Sequence, residues 1–145
     1  MVDASLFKLL QQAAKTSDPT GEKITISVPT DNIPIFPMQV QSIRRALINL
    51  FTNAIRYAGK ANAQIQIFDD HSEVIIDDNG PGIPRDKIEE VVLPFTRLEN
   101  SRNIKTGGTG LGLSIAKNSA LNHGGELILE DSPLGGLRVR LLLPL

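Results

Sequence analysis

Cysteine and tryptophan are absent from the 145-residue sequence, and histidine occurs only twice. The lack of cysteine excludes disulfide bonds and thiolate metal sites, and two histidines are too few for a histidine-rich metal cluster. No apolar run approaches the roughly 20 residues of a membrane-spanning helix, and the first residues lack the basic and apolar regions of a targeting signal. We therefore expect a soluble, untargeted chain.

The sequence also lacks an excess of either charge, because 15 Lys and Arg residues nearly balance 16 Asp and Glu residues. A net charge of −1 gives no basic field of the kind that attracts nucleic acid, so we expect no nucleic-acid partner. What the chain does have is 41% hydrophobic residues, enough at this length for one domain with its own core.

The hydrophobic pattern switches between helical and strand periods along the chain. It predicts helices over Ser5–Ala14, Met38–Ala58, Arg85–Val92 and Gly110–Asn122. It predicts strands over Lys23–Val28, Ala63–Phe68, Glu73–Asp78, Glu126–Glu130 and Leu137–Leu143, a proline-rich edge piece at Ile33–Pro37, and a hairpin turn at Asp69–Ser72. This order predicts an α+β fold, a two-layer α/β sandwich in which three main helices cover one face of a mixed, mostly antiparallel sheet of about five strands.

A glycine-rich stretch, Gly107-Gly108-Thr109-Gly110-Leu111-Gly112-Leu113, runs directly into the last predicted helix. Its backbone can approach a ligand closely, and free N–H groups at a helix N-terminus attract phosphate, so the stretch indicates an anionic ligand. It lacks the Gly-Lys-Ser/Thr ending of a Walker A motif and does not fit the pattern of dinucleotide binders. A flexible linker or a glycine-terminated turn is the alternative interpretation.

The helix predicted over Met38–Ala58 carries two stripes when residues are placed about 100° apart. The apolar stripe consists of Ile43, Leu47, Leu50 and Ala54, and the polar stripe consists of Asn49, Asn53, Arg56 and Tyr57. Asparagine is unfavourable inside a helix because its amide competes with the backbone for hydrogen bonds, so two of them four residues apart indicate a function. A solvated polar face is the alternative.

Alternation along Glu73–Asp78 places Asp78 on the same face as Val74 and Ile76, with Asp77 opposite. An inward carboxylate is costly unless something binds it, which favours a functional role for Asp78 over Asp77. The Asn79–Pro84 turn that follows could be a simple connection from strand to helix, but this would not explain the inward carboxylate.

Thr96–Thr106 is a polar segment without periodicity that carries Arg97, Arg102 and Lys105. A segment of this length between ordered elements indicates a mobile functional loop. Its three cations could contact phosphates, although a solvated loop explains any one of them.

Four motifs in this order resemble those of the ATP-binding catalytic domain of bacterial sensor histidine kinases, a branch of the superfamily that includes gyrase B, Hsp90 and MutL. Asn49–Tyr57 resembles the N box, Asp78–Gly82 the first glycine box, Pro94–Arg97 the F box and Gly108–Leu113 the second glycine box. The resemblance covers Met38–Leu145 and implies the Bergerat-type ATP-binding fold. Gly135-Gly136-Leu137 matches the last glycine motif imperfectly, with Leu where the family often has Thr or Ala.

The resemblance implies a role for each matching position. Asp78 would accept a hydrogen bond from the adenine 6-amino group, which selects adenine over guanine, and Asn53 would hold a Mg²⁺ ion carried by ATP. The other implied contacts to the base or the phosphates are Asn49, Arg56, Tyr57, Gly80, Gly82, Ile83, Gly108, Thr109, Gly110, Leu111, Gly112 and Leu113. A lid over the nucleotide would contain Phe95, Arg97, Arg102 and Lys105.

The residue type at the position of Asn49 differs between the branches of the superfamily. The gyrase, Hsp90 and MutL ATPases and the anti-sigma serine kinases resemble one another in having a Glu general base four residues before the metal-binding Asn. An Asn cannot take up a proton at neutral pH, so the resemblance implies transfer of the γ-phosphoryl group to a histidine. A superfamily ATPase or serine kinase, or a non-catalytic nucleotide-responsive interaction module, is the alternative.

The phosphoacceptor hairpin of such kinases is missing from residues 1–145, which would form a single catalytic domain, and no catalytic residue is assigned. We expect His71 and His123 to be structural or exposed. The resemblance implies two partners, the protein's own dimerisation and phosphoacceptor domain and a downstream response regulator. It also implies a cytoplasmic domain of an inner-membrane receptor that is a membrane-tethered homodimer, with a monomeric isolated fragment.

Overall fold

The computed structural model describes residues 1–27, 35–80 and 111–145, except for the side chains of residues 56–58, 111 and 112. The helices in these ranges are α1 (Leu6–Ser17), α2 (Val40–Ala58) and α3 (Leu111–Asn122). The strands are β1 (Val2–Ser5), β2 (Ile24–Ser27), β3 (Ile35–Met38), β4 (Ala61–Ile67), β5 (His71–Asp78), β6 (Glu126–Asp131) and β7 (Leu137–Pro144). The helix predicted over Arg85–Val92 lies outside the described residues.

Five strands form the main sheet in the order β2-β4-β5-β7-β6. β2 and β4 run parallel, whereas the other neighbouring pairs are antiparallel, so the sheet is mixed and mostly antiparallel as predicted. Parallel neighbours need a long crossover connection, and α2 lies in the connection between β2 and β4. β5 is the central strand, with two strands on each side of it.

A single core joins the three helices to one face of the main sheet. The predicted apolar stripe of α2, Ile43, Leu47, Leu50 and Ala54, is buried, with exposed fractions between 0 and 5%. Alternate residues of β4 and β7 face the same core, which is the two-residue period of a half-buried strand. These layers confirm the predicted α+β sandwich. No helix in the described ranges is long and apolar enough to cross a membrane.

Two details of the strands differ from the sequence predictions. β1, which the pattern did not predict, pairs with β3 in a separate two-stranded antiparallel sheet. The turn predicted at Asp69–Ser72 is shorter than expected, because β5 already begins at His71. The Phe68 N–H donates to the His71 carbonyl at 2.8 Å, so the hairpin closes over two residues.

Candidate functional site

Asp78 is the last residue of β5 and lies on the core face of the sheet, 6% exposed. Its Oδ1 atom accepts two backbone hydrogen bonds at 3.0 Å, from the Gly80 N–H and from the Leu137 N–H at the start of β7. No hydrogen bond from another described residue reaches Oδ2, and no described cation forms an ion pair with this carboxylate. Asp78 therefore keeps acceptor capacity at a buried position, which suits a ligand that donates a hydrogen bond.

Gly136 packs directly against Asp78. A Cβ atom at this position would overlap Asp78 Oδ1 and would lie 2.6 Å from the Gly80 nitrogen, so no larger residue fits without movement of the backbone. The preceding Gly135 has another reason to be glycine, since its φ of 97° lies in the left-handed region. Gly136 was not among the predicted site residues. The sequence did contain a signal for this contact, namely a second glycine directly after Gly135. Only Gly135 has a backbone conformation that favours glycine, so Gly136 must be glycine for another reason.

Asp77 is buried as well, although it points to the opposite face of the sheet. Arg138 binds it with two hydrogen bonds, from Nε to Oδ1 at 2.7 Å and from Nη2 to Oδ2 at 3.0 Å. The Ser132 hydroxyl also donates to Oδ1, at 2.9 Å. The hydrogen bond to Asp77 raises the pKa of Arg138. Burial therefore does not distinguish the two carboxylates; among the described residues, a guanidinium compensates Asp77 and only backbone N–H groups compensate Asp78.

The polar stripe of α2 lies on a helix that packs against both β5 and α3. Asn49 and Asn53 are half-buried on this helix. The Asn49 Nδ2 atom is buried and has no hydrogen-bond partner in the described part of the chain. Buried amide groups are rarely left without an acceptor, because the lost hydration is not replaced. This donor is therefore suited to an oxygen atom of a ligand.

The remaining predicted site residues are described only in part. Gly80 is the second residue after β5. Leu113 is 5% exposed in the hydrophobic core, which assigns its side chain to packing. Four residues are described by their backbone alone, in α2 or α3: Arg56, Tyr57, Leu111 and Gly112. The others lie outside the described ranges: Gly82, Ile83, Phe95, Arg97, Arg102, Lys105, Gly108, Thr109 and Gly110.

Both histidines form hydrogen bonds through both ring nitrogens, His123 between two helices and His71 to residues close to it in the sequence. His123 Nδ1 donates to the Ser119 carbonyl at 2.7 Å, and its Nε2 accepts from the Gln39 N–H at 2.9 Å. His71 lies between Asp70 and Glu73, with contacts of 2.7 and 3.2 Å, and the hydrogen bond to Asp70 raises the pKa of His71. In residues 1–27, 35–80 and 111–145 no group of three His, Asp or Glu side chains is arranged to hold a metal ion.

Residues 38–145 match the family model described as histidine kinase-, DNA gyrase B-, and HSP90-like ATPase. Over 139 residues the chain is 34% identical to the sensor histidine kinase CpxA of Escherichia coli strain K12, and the match covers 95% of this chain and 30% of CpxA. The chain thus spans less than a third of the length of this curated relative.

Solved structures with the same fold match nearly the whole chain. The NMR structure of the histidine kinase domain of the E. coli osmosensor EnvZ is 32% identical, with a TM-score of 0.75 and coverage of 100% of this chain and 89% of that one. The crystal structure of the ATP-binding domain of PrrB from Mycobacterium tuberculosis is 28% identical, with a TM-score of 0.75 and coverage of 99% and 96%. These matches confirm the predicted family: the chain belongs to the histidine kinase-, DNA gyrase B- and HSP90-like ATPases and is a relative of the kinase domains of two-component sensor histidine kinases.

Proposed function

We propose that this chain binds Mg·ATP and donates the γ-phosphoryl group to a histidine on a separate dimerisation domain. The observation that carries the proposal is the Asp78 carboxylate, which is buried and fixed by two N–H donors on one oxygen. A carboxylate accepts a hydrogen bond from the adenine 6-amino group, whereas the carbonyl oxygen of guanine at that position would repel it. Adenine is therefore the base that this site would select.

The residues on α2 fit the phosphates and the metal ion of the same ligand. Asn49 Nδ2 is a buried donor without a partner among the described residues, and an oxygen of the triphosphate would satisfy it. Asn53, one helical turn further on, offers an amide oxygen of the kind that Mg²⁺ accepts when phosphates and waters complete its coordination. Mg²⁺ would supply charge neutralisation on the triphosphate. Arg56 and the glycine-rich segment before α3 extend the proposed phosphate contacts.

Asn49 also favours phosphoryl transfer over hydrolysis. Its amide cannot accept a proton at neutral pH, so this position does not activate water. An acceptor imidazole is itself the nucleophile: its nitrogen forms the new bond to phosphorus while the bond from phosphorus to the bridging oxygen breaks and ADP leaves. The role of this chain is then to hold the triphosphate so that the γ-phosphorus is in line with the attacking imidazole nitrogen and the departing ADP oxygen.

The proposed activity requires partners outside this chain. Residues 1–145 would be one catalytic domain of a longer protein, consistent with the 30% of CpxA that they cover. The phosphoacceptor would be on that protein's own dimerisation domain, and a response regulator would receive the phosphoryl group next. We further propose a cytoplasmic position in an inner-membrane receptor that forms homodimers, with the isolated catalytic domain being a monomer.

Calorimetric titration with ATP, with and without Mg²⁺, tests the nucleotide site. In Asp78→Asn the amide oxygen would stay on the two N–H groups and the NH₂ group would face the adenine amino group, so we expect affinity to fall at least about tenfold. Asp69→Asn changes an exposed carboxylate in the β4–β5 turn and should bind as the wild type does. An unchanged affinity in Asp78→Asn would contradict the proposed adenine contact.

The proposed contact between Asn53 and Mg²⁺ is tested by a separate pair of variants. Asn53→Ala should abolish the dependence of ATP affinity on Mg²⁺, because the proposed protein ligand is removed. Asn118→Ala is the matched control, since Asn118 is an exposed asparagine on α3. A full Mg²⁺ dependence in Asn53→Ala would exclude this residue as a ligand.

The transfer step is tested with radiolabelled ATP and a separately produced dimerisation domain. We expect acid-labile label on a histidine of the added domain and little release of free phosphate without it. Rapid phosphate release by the chain alone would favour a superfamily ATPase, and label on serine would favour a serine kinase. ATP binding that leads to neither would favour a nucleotide-responsive interaction module.

A further inference from the structure

The turn between β6 and β7, residues 132–136, is attached to both carboxylates at the end of β5. The Ser132 hydroxyl donates to Asp77 Oδ1, and Leu137, directly after the turn, donates its N–H to Asp78 Oδ1. Asp77 and Asp78 point to opposite faces of the sheet, so one turn is held to β5 on both faces. We propose that this turn is a positioning element that fixes the orientation of the Asp78 carboxylate for nucleotide recognition, an inference that rests on the function proposed above.

The contacts at Asp78 leave its carboxylate little freedom to rotate. Gly80 and Leu137 donate to the same oxygen, both at 3.0 Å, so rotation would break one bond or both. Gly136 closes the space beside that oxygen, as the overlap of any Cβ atom there demonstrates. Oδ2 is thereby presented as the acceptor at a fixed angle. Orientation matters because hydrogen bonds weaken steeply once the angle at the hydrogen falls below about 120°.

Ser132 keeps the turn where these contacts need it. The residue is buried, and its hydroxyl donates to Asp77 at 2.9 Å while accepting from the Leu134 N–H at 3.1 Å. Within the turn, the Ser132 N–H donates to the Gly136 carbonyl at 2.8 Å, and the Gly135 N–H donates to the Ser132 carbonyl at 2.9 Å. Ser132 is thus bonded through side chain and backbone, and a displacement of Ser132 would move Gly136 with it.

Asp77 is a rigid anchor for Ser132, because Arg138 binds both of its oxygens. Such bidentate pairs fix the relative orientation of the two side chains. Without the Ser132 hydroxyl, the turn would be held to β5 on the Asp78 face only. The carboxylate of Asp78 would then align less well with an amino group and would repel a carbonyl oxygen less. Ser132 and Gly136 are therefore positioning residues that act through Asp78.

The Kd of ITP divided by the Kd of ATP measures this role. The two nucleotides differ at position 6 of the base, where ITP has a carbonyl in place of the amino group. Ser132→Ala should lower the ratio by about fivefold, the effect of roughly one net hydrogen bond. Ser72→Ala is the matched control, because Ser72 is a buried serine near the other end of β5 whose hydroxyl donates to the Leu143 carbonyl. It should leave the ratio unchanged whatever it does to stability.

Rescue and amide exchange separate positioning from general destabilisation. Ser132→Thr keeps a hydroxyl and should restore most of the wild-type ratio. By NMR, the Leu137 amide proton should exchange faster in Ser132→Ala than in the wild type, and Ser72→Ala should not change it. Gly136→Ala should lower the ratio as well, because its Cβ atom displaces the Asp78 carboxylate.

The outcomes distinguish this inference from the proposed function. A wild-type ratio well above one that stays unchanged in Ser132→Ala would overturn the positioning role and leave the ATP site intact. Failure of the folded wild-type protein to bind ATP would overturn both. If Ser132→Ala does not fold, the wild-type protein still provides a test, because rapid exchange of its Leu137 amide would show that the bond to Asp78 is not maintained.

Discussion

Asp77 and Asp78 are adjacent buried carboxylates whose charges are compensated in different ways. Asp77 is held by Arg138 and Ser132, so it can serve as an anchor in the folded protein without any ligand. Asp78 is held by backbone N–H groups on one oxygen, which leaves the other available. The difference between a carboxylate that anchors the fold and one with an oxygen available to a ligand therefore lies in the hydrogen-bond partners and not in the exposed fraction of the side chain.

His71 provides a prediction about pH. The hydrogen bond to Asp70 raises its pKa, although burial opposes the shift, and the bond to Glu73 adds to it. The folded state thus binds the proton more tightly than the unfolded chain. The stabilisation is fully present below the unfolded value of about 6.5 and is lost as the pH rises through the raised folded value. An NMR titration of the His71 ring should have a midpoint above about 6.5, and Asp70→Asn should lower it.

Urea unfolding tests the same linkage through stability. The pKa values of Asp70 and Glu73 are lowered, so both carboxylates remain charged near neutral pH. The urea midpoint should differ more between the wild type and His71→Gln at about pH 6 than at about pH 8.5, where the imidazole has lost its charge. A difference of equal size at both values would mean that packing against Phe68, and not charge, is what His71 contributes.

The inward position of Asp78 could be predicted from the sequence, whereas the contact between Gly136 and Asp78 could not, for a physical reason. The two-residue period of β5 is local, and it places a polar residue among apolar ones within a few positions. Gly136 is constrained by an atom of a residue 58 positions earlier in the sequence, and only the pairing of β5 with β7 brings them together. The burial of Asp77 was unpredictable in the same way, because its partner Arg138 is on β7.

At the level of the elements, α2 and α3 are tied together at the end opposite the proposed site. His123 connects the residue before α2 to the last turns of α3, through Gln39 and Ser119. The Gln39 N–H can only donate and the Ser119 carbonyl can only accept, so His123 is the neutral tautomer with its proton on Nδ1. A second contact, between the hydroxyls of Ser42 and Ser119 at 2.7 Å, lies beside it.

His123→Ala should therefore lower the free energy of unfolding by about 1–2 kcal/mol, because two side-chain hydrogen bonds are lost and the Gln39 N–H loses its acceptor. Asn122→Ala, at the exposed neighbouring position, is the matched control. At temperatures where both variants are folded, ATP affinity should be unchanged, since the proposed contacts lie toward the other end of both helices. Equal unfolding free energies for the two variants would exclude the connecting role of His123.

The elements themselves were predictable to different degrees. α2 has an uninterrupted helical period over five turns, and its apolar stripe is buried as predicted. β1 has only four residues and no alternation of polar and apolar side chains; its structure depends on pairing with β3 beyond α1 and β2. The β4–β5 turn was mislocated because Asp69-Asp70 has no glycine to mark its two central positions.

For the molecule as a whole, the fold gathers the proposed site from parts that are far apart in the sequence. Asp78 ends the central strand of the main sheet, Leu137 begins the next strand, and α2 crosses over the sheet to pack on β5. A ligand bound at the proposed site would contact α2 as well as the main sheet. It would also lie beside the ends of β5 and β7 and the turn between β6 and β7. Nucleotide should consequently stabilise the entire domain rather than one loop.

Thermal unfolding with and without Mg·ATP tests this coupling. A ligand that binds only the folded state at about 100 times its dissociation constant adds about 2.7 kcal/mol of stability. For a domain of this size that raises Tm by roughly 8 °C, and all spectroscopic probes should shift together if the domain unfolds cooperatively. Asp78→Asn should show little shift at the same ATP concentration, whereas Asp69→Asn should shift as the wild type does. A wild-type Tm that stays constant at ATP concentrations that saturate the calorimetric titration would mean that the nucleotide binds the unfolded chain equally well, which is incompatible with a site built from β5, β7 and α2.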